Sequence, residues 1–129
     1  QQEVAQRIVA TNEDNDFGVL SLLLQLRYEP RDIFQISSEC FFPPPEVESA
    51  CTQLVRRSEP LLSAEQADVF KKIVKRGFSQ RRKMMLKLLK QDWPKEKLES
   101  VFAELNISPQ ERAEKISLET FVELTKMLL

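Results

Sequence analysis

The sequence predicts an α+β segment followed by an all-α helical domain. Residues 59–129 repeat apolar side chains at helical spacing, whereas residues 1–58 contain two helix patterns and two stretches typical of strands. Two strands do not form an independent sheet with its own core, so the first segment is predicted to be the end of a larger α/β domain. Whether such a fragment self-associates through an exposed sheet edge stays open at this stage.

The first segment contains four predicted elements. The opening QQEVAQRIVA has apolar residues at helical spacing, and the apolar run FGVLSLLLQL predicts a second helix buried on most faces. RDIFQI, residues 31–36, predicts a strand that begins after Pro30 interrupts the chain. VESACTQLV, residues 47–55, is rich in small and β-branched residues and predicts the second strand.

The second segment is predicted to hold five helices. The signals for their N-termini are the Ser63–Gln66 capping box, Ser79, Pro94, the group Ser108, Pro109 and Glu111, and Ser117. Gly77 is a natural stop, so the first helix is predicted to run through about Arg76 and the second to span roughly residues 80–90.

Composition excludes several kinds of site. The chain has no histidine, which excludes a histidine general base, and its two glycines cannot form a glycine-rich phosphate loop. Cys40 and Cys51 have no metal-like spacing and form no disulfide framework, so a reducing cytoplasm is the expected compartment. Neither a signal peptide nor a membrane span is predicted. These residues alone do not make a complete enzyme.

The charge distribution is strongly uneven. Residues 71–90 hold nine bases and no acid, while the other 109 residues hold all 20 acids and 10 bases. We call the nine bases the basic cluster: Lys71, Lys72, Lys75, Arg76, Arg81, Arg82, Lys83, Lys87 and Lys90. Such a concentration predicts binding to a nucleic-acid backbone; a solvated face balanced by acids of neighbouring helices is the alternative.

The expected positions of these bases on the predicted helices bear on the hypothesis of nucleic-acid binding. The first four bases are expected on the helix face opposite Phe70, Ile73 and Val74. The run Arg81–Lys83 is expected in the first turn of the next helix, where cations oppose the helix dipole unless a phosphate binds there.

The stretch FFPPPEVES, residues 41–49, is predicted to be a stiff elbow that carries two aromatic rings. Pro43, Pro44 and Pro45 lack amide donors and have a fixed φ, and steric contact with Pro43 pushes Phe42 toward an extended conformation. A fixed ring beside a basic surface suits stacking on an unpaired base. The alternative is that the rings plug the core, and at least one of them is expected to be buried.

Five stretches, in order, resemble the KsgA (RsmA) family of small-subunit ribosomal RNA adenine dimethyltransferases. QQEVAQRIVA is similar to the family's QKEVAERLVA, FGVLSLLLQ to YGRLSVLVQ, and FFPPPEVESA to F-x-PPPKVDSA. FSQRRK matches the start of FSQRRKTLRN, and LNISPQERAEKISLETF resembles LGIDPxxRAExLSLEEF. The resemblance covers essentially the whole chain, and the ordered set is more specific than any single motif.

The resemblance implies a Rossmann-like domain that binds S-adenosylmethionine, followed by a small helical domain. It implies dimethylation of two adjacent adenosines near the 3′ end of small-subunit rRNA, with the pre-ribosomal small subunit as partner. By the same resemblance Phe41 stacks on the target adenine, supported by Pro43, Pro44 and Pro45. Resemblance and charge together imply that the FSQRRK region contacts rRNA phosphates, and the predicted rRNA-binding residues are Lys71, Lys72, Lys75, Arg76, Arg81, Arg82, Lys83 and Lys87.

The resemblance also implies what the chain lacks. The family's glycine-rich cofactor loop, its ribose-binding acid and its Asn-Leu-Pro-Tyr motif precede the matching segment, so the chain is predicted to be the C-terminal half, to bind no cofactor and to be inactive. Glu46 replaces a family lysine, and Val19 and Leu86 replace arginines. The alternatives are an Erm-type methyltransferase of large-subunit rRNA and a non-enzymatic module for rRNA binding or ribosome assembly.

Overall fold

Two helices and two strands form the first of the two units into which the chain divides, Gln1–Glu59 and Pro60–Leu129. The computed structural model describes all residues 1–129. Helix α1 spans Gln2–Val9, helix α2 spans Val19–Gln25, strand β1 spans Tyr28–Ile36 and strand β2 spans Ser49–Arg56. The predicted α+β character, with two helices and two strands, is therefore confirmed, whereas the predicted division lies between residues 58 and 59.

Strands β1 and β2 pair antiparallel, from Tyr28 opposite Arg56 to Ile36 opposite Ser49. The predicted start of β1 after Pro30 is wrong, because Pro30 lies within the strand opposite Leu54. Proline is tolerated on a strand that has an unpaired edge, since no ladder hydrogen bond is lost there. A bulge follows directly, and Asp32 adopts φ 53° in it, a left-handed conformation that Asp accepts more readily than most residues.

Buried polar side chains hold α2 against the end of α1. The Gln25 amide donates hydrogen bonds to the carbonyls of Ile8 and Ala10 at 2.7 and 2.9 Å, which satisfies acceptors left open where α1 ends. The Ser21 hydroxyl donates to the carbonyl of Arg7 and accepts from the Gly18 amide. These bonds explain why Ser21 and Gln25 are buried on a helix that the sequence predicts to be mostly apolar.

Only helices and turns occur in the second unit. Helix α3 spans Ala64–Gly77, α4 Met85–Leu89, α5 Lys95–Glu104 and α6 Leu118–Leu128. Its core contains large side chains with almost no exposure, namely Phe70, Ile73, Val74, Met85, Leu89, Leu98, Phe102, Phe121 and Leu124. No helix of the chain is both long enough and apolar enough to cross a membrane.

Side-chain caps fix the starts of α3 and α6. The predicted capping box before α3 is confirmed: the Ser63 hydroxyl accepts from the Gln66 amide at 3.2 Å, and the Gln66 side chain accepts from the Ser63 amide at 2.9 Å. Ser117 caps α6 in the same way, accepting from the Thr120 amide, and α5 begins directly after Pro94.

The predicted helix at Ser108 is wrong. The Glu111 amide closes a turn onto the Ser108 carbonyl, and only a short 3-10 helix, Ala113–Lys115, follows. The Glu111 carbonyl instead accepts from the Met85 amide at 2.9 Å, so this segment satisfies a donor at the start of α4.

Candidate nucleic-acid interface

The elbow between β1 and β2 is fixed at its base. A 3-10 helix, Ser38–Cys40, follows β1, and its Ser38 amide donates to the Glu48 carboxylate at 3.2 Å. The Glu48 carbonyl accepts from the Gln2 amide of α1 at 3.0 Å. Between these anchors Phe41 is extended, with φ −117° and ψ 153°. One carboxylate thus closes the loop that carries the two phenylalanines and three prolines.

Both rings of the elbow face solvent in this chain. Phe41 is 44% exposed and Phe42 is 99% exposed, so the expectation that at least one of them lies in the core is wrong. Pro43 and Pro44 are exposed and Pro45 is half-buried, and none of the three belongs to a helix or strand. Glu46, the charge-reversed neighbour, is also exposed. The arrangement presents aromatic surface, which can stack on a flat ligand such as a nucleobase.

Helix α3 presents bases on one face and core residues on the other, as predicted. Phe70, Ile73 and Val74 are fully buried, while Lys71, Lys72 and Lys75 are exposed and Arg76 is half-buried. The periodicity of 3.6 residues per turn separates these two sets.

The run Arg81–Lys83 lies in an exposed turn, and the prediction that it occupies the first turn of a helix is wrong. Ser79 does not cap α4; its hydroxyl donates to the Arg76 carbonyl at 2.6 Å and so caps the end of α3. Helix α4 begins later, after an extended Met84, and spans only five residues. The predicted opposition between these cations and a helix dipole therefore does not arise.

Helix α4 divides its side chains between core and solvent. Leu86, where the family resemblance implies an arginine, is only 5% exposed and packs in the core, so it cannot contact a partner. Lys87 and Lys90 are exposed. Of these three side chains, only the two lysines can therefore reach a partner.

One acid that sequence reasoning missed engages two bases of the cluster. Asp92 receives the Arg76 Nε–H at 2.7 Å and an Nη2–H at 3.5 Å, and its carboxylate lies 3.8 Å from Lys72 Nζ. Lys72 Nζ also lies over the Trp93 ring, 5.1 Å from its centroid. The hydrogen bond from Arg76 lowers the pKa of Asp92, against an opposing effect of burial, and the same bond raises the pKa of Arg76.

No sequence signal identifies Asp92 as this partner. It lies 16 residues from Arg76, outside the 71–90 stretch, and helical spacing relates only residues three or four apart. The other seven bases of the cluster form no ion pair. The alternative, in which acids neutralise the basic face, therefore applies to Lys72 and Arg76 alone.

The fold is that of solved RNA methyltransferases. A dimethyladenosine transferase from Plasmodium falciparum matches 96% of this chain with a TM-score of 0.79 at 20% identity, over 53% of its own chain. The 23S rRNA methyltransferase ErmE matches 96% of this chain with a TM-score of 0.72 at 19% identity, over 51% of its own chain.

Sequence comparison gives the family. The model of the ribosomal RNA adenine dimethylase family matches residues 1–129, and the chain belongs to that family. Two relatives named ribosomal RNA small subunit methyltransferase A are 38% identical (Nitrosospira multiformis, 97% of this chain) and 41% identical (Gloeobacter violaceus, 99% of this chain). The chain spans about half the length of the curated relatives it matches, 47% in both cases, and it corresponds to their C-terminal half.

Proposed function

We propose that the whole protein dimethylates two adjacent adenosines near the 3′ end of small-subunit rRNA, using S-adenosylmethionine, and that this chain recognises the RNA. The observation that carries the proposal is an exposed aromatic elbow in a chain of the ribosomal RNA adenine dimethylase family. The name of the curated relatives supports the small subunit as the partner, whereas the likeness to ErmE is one of fold alone. The site of action is the pre-ribosomal small subunit in the cytoplasm.

We propose that the residues of this chain do not by themselves form a site for S-adenosylmethionine. Its two glycines serve helix ends, Gly18 before α2 and Gly77 as the last residue of α3, and neither belongs to a glycine-rich loop. We assign cofactor binding to the part of the relatives that this chain does not span. In this proposal the first unit is the end of a Rossmann-like domain, and self-association of the fragment through an unpaired sheet edge stays a prediction.

The elbow holds the target adenine in this proposal. A base that is methylated on its exocyclic amine must leave its stack, and an aromatic ring fixed at the site compensates for the stacking that is lost. Phe41 is extended and follows an anchored 3-10 helix, so its position is better defined than that of a ring on a free loop. The basic cluster of the second unit pairs with rRNA phosphates and fixes the register of the RNA.

Replacing each phenylalanine in turn tests the elbow. In the full-length protein, Phe41→Ala is expected to lower the methylation rate about 5- to 150-fold, the equivalent of about 1–3 kcal/mol of base stacking. Binding to small subunits should be retained, because the basic cluster is unchanged. Phe42→Ala is the matched control and should methylate normally.

Two results would overturn the assignment. Normal methylation by Phe41→Ala would remove the role proposed for that ring. A loss confined to Phe42→Ala would move the role to its fully exposed neighbour. Tritium transfer from labelled S-adenosylmethionine to unmethylated small subunits measures the rate, and sedimentation with the subunits measures binding.

A further inference from the structure

The nine bases of the cluster do not stand in equivalent surroundings. Lys72 and Arg76 are held by Asp92, whereas the other seven form no ion pair. These seven are Lys71 and Lys75 on α3, Arg81, Arg82 and Lys83 in the following turn, and Lys87 and Lys90 at α4. All seven are exposed. We infer that these seven form the phosphate-binding set, and that Asp92 is a positioning residue that withholds Lys72 and Arg76 from RNA.

The geometry around Asp92 favours this division. Its side chain is only 14% exposed and receives two hydrogen bonds from one guanidinium, an arrangement stronger than a typical surface ion pair. Its backbone is held as well, since the Asp92 amide donates to the Leu89 carbonyl at 3.0 Å. A phosphate that took Arg76 would leave a partly buried carboxylate without its main donor, which is costly.

Lys72 is restrained from a second side. Its ammonium lies over the Trp93 ring, and the Trp93 indole N–H donates to the Leu128 carbonyl at 3.2 Å, which ties the ring to the end of α6. Lys72 therefore has both an anionic and an aromatic partner within the unit. Glu65 and Asp68, the two acids on α3 itself, form no ion pair with the cluster and leave the remaining bases uncompensated.

The inference rests on the proposed function and makes it quantitative. Each phosphate contact releases condensed counterions, so the slope of log K against log salt counts the cations that bind. With seven contacts to single-stranded RNA the slope is no steeper than about −5, at roughly 0.7 per contact. Releasing Arg76 from Asp92 should add about one contact and raise affinity about fivefold at 0.1 M salt.

A double-mutant cycle on the 129-residue chain tests the division. The probe is a fluorescein-labelled single-stranded RNA with the sequence of the small-subunit rRNA 3′ end, titrated by anisotropy at several KCl concentrations. Asp92→Asn should raise affinity about fivefold and steepen the slope by about 0.7. Arg76→Gln should leave affinity within about twofold in the parent chain but lower it about fivefold in the Asp92→Asn background.

Arg81→Gln with Arg82→Gln is the positive control within the phosphate-binding set. This pair should lower affinity roughly 25-fold at 0.1 M salt, because two contacts are lost. Circular dichroism verifies that each variant is folded. Arg76→Gln removes the base of the ion pair and Asp92→Asn removes its acid, so each variant tests the division separately. If one of them does not fold, the other is sufficient.

The possible failures are distinguishable. If the parent chain binds no RNA at any salt concentration, the proposed role of the basic cluster fails together with the inference. If it binds and Arg81→Gln/Arg82→Gln weakens binding, but Arg76→Gln alone costs about fivefold, only the division is overturned. The division is also overturned if folded Asp92→Asn fails to raise affinity.

Discussion

Replacing Phe121 with alanine removes the ring at the centre of the helical unit. Phe121 has no exposed surface, and its ring meets Phe70 edge-on at a centroid distance of 6.5 Å and stacks with Phe78 at 6.2 Å. Truncating a buried phenylalanine costs about 3–5 kcal/mol, because both transfer free energy and packing are lost. A unit of this length holds roughly 4–10 kcal/mol in total, so between about a third and all of its stability should disappear.

The single tryptophan makes the measurement specific to this unit. Trp93 lies in the second unit, and its indole N–H is bonded to the Leu128 carbonyl, so its fluorescence reports on the packing of α6. Urea unfolding followed at Trp93 should show a free energy of unfolding lowered by about 3–5 kcal/mol, with a melting temperature at least about 12 °C lower.

Phe42→Ala is the control, because it also removes an aromatic ring but not one that is buried in the core. Phe42 is almost fully exposed and lies in the other unit, so the Trp93 transition should not change. A loss below about 1 kcal/mol for Phe121→Ala would mean that the ring does not occupy the core described here, since even surface substitutions reach about 0.5 kcal/mol.

Two further predictions concern the ends of α3. Ser63→Ala removes the capping box and should lower the free energy of unfolding by about 1 kcal/mol. The control Ser100→Ala, on the exposed face of α5, should not lower it. Equal effects of the two substitutions would refute the cap. The Asp92 carboxylate has a folded-state pKa below its unfolded value near 4, so its contribution to stability is present above about pH 4 and is lost as pH falls through the folded pKa. The difference in stability between the parent chain and Asp92→Asn should therefore shrink from pH 7 to pH 3 in urea titrations, and a constant difference would contradict the ion pair.

The sequence predicted correctly those features that depend on residues close together along the chain. The capping box at Ser63, the cap at Ser117 and the apolar face of α3 depend on residues three or four apart, and the structure has all of them. The α+β character of the first unit also follows from local patterns. Bonds between distant parts of the chain were not predictable, because no periodic spacing relates Gln25 to Ala10 or Asp92 to Arg76.

Competing local signals explain the wrong predictions. Ser79 is a good N-cap residue, but its hydroxyl bonds backward to the Arg76 carbonyl, which moves the basic run into a turn. Ser108 and Pro109 suit a helix start, yet the Glu111 amide closes a turn onto the Ser108 carbonyl. The Glu111 carbonyl accepts from the Met85 amide at the start of α4. Pro30 suggests an interruption, but a strand with an unpaired edge and a bulge accommodates it. The exposure of Phe41 and Phe42 depends on tertiary structure and has no signal of its own.

The most direct test of the proposed function is the product of the whole protein. The full-length protein is incubated with S-adenosylmethionine and with small or large subunits from cells that lack the modification, and the rRNA is analysed by mass spectrometry. Two adjacent dimethylated adenosines near the 3′ end of small-subunit rRNA are the predicted result. Methylation of large-subunit rRNA, or of neither rRNA, would contradict it.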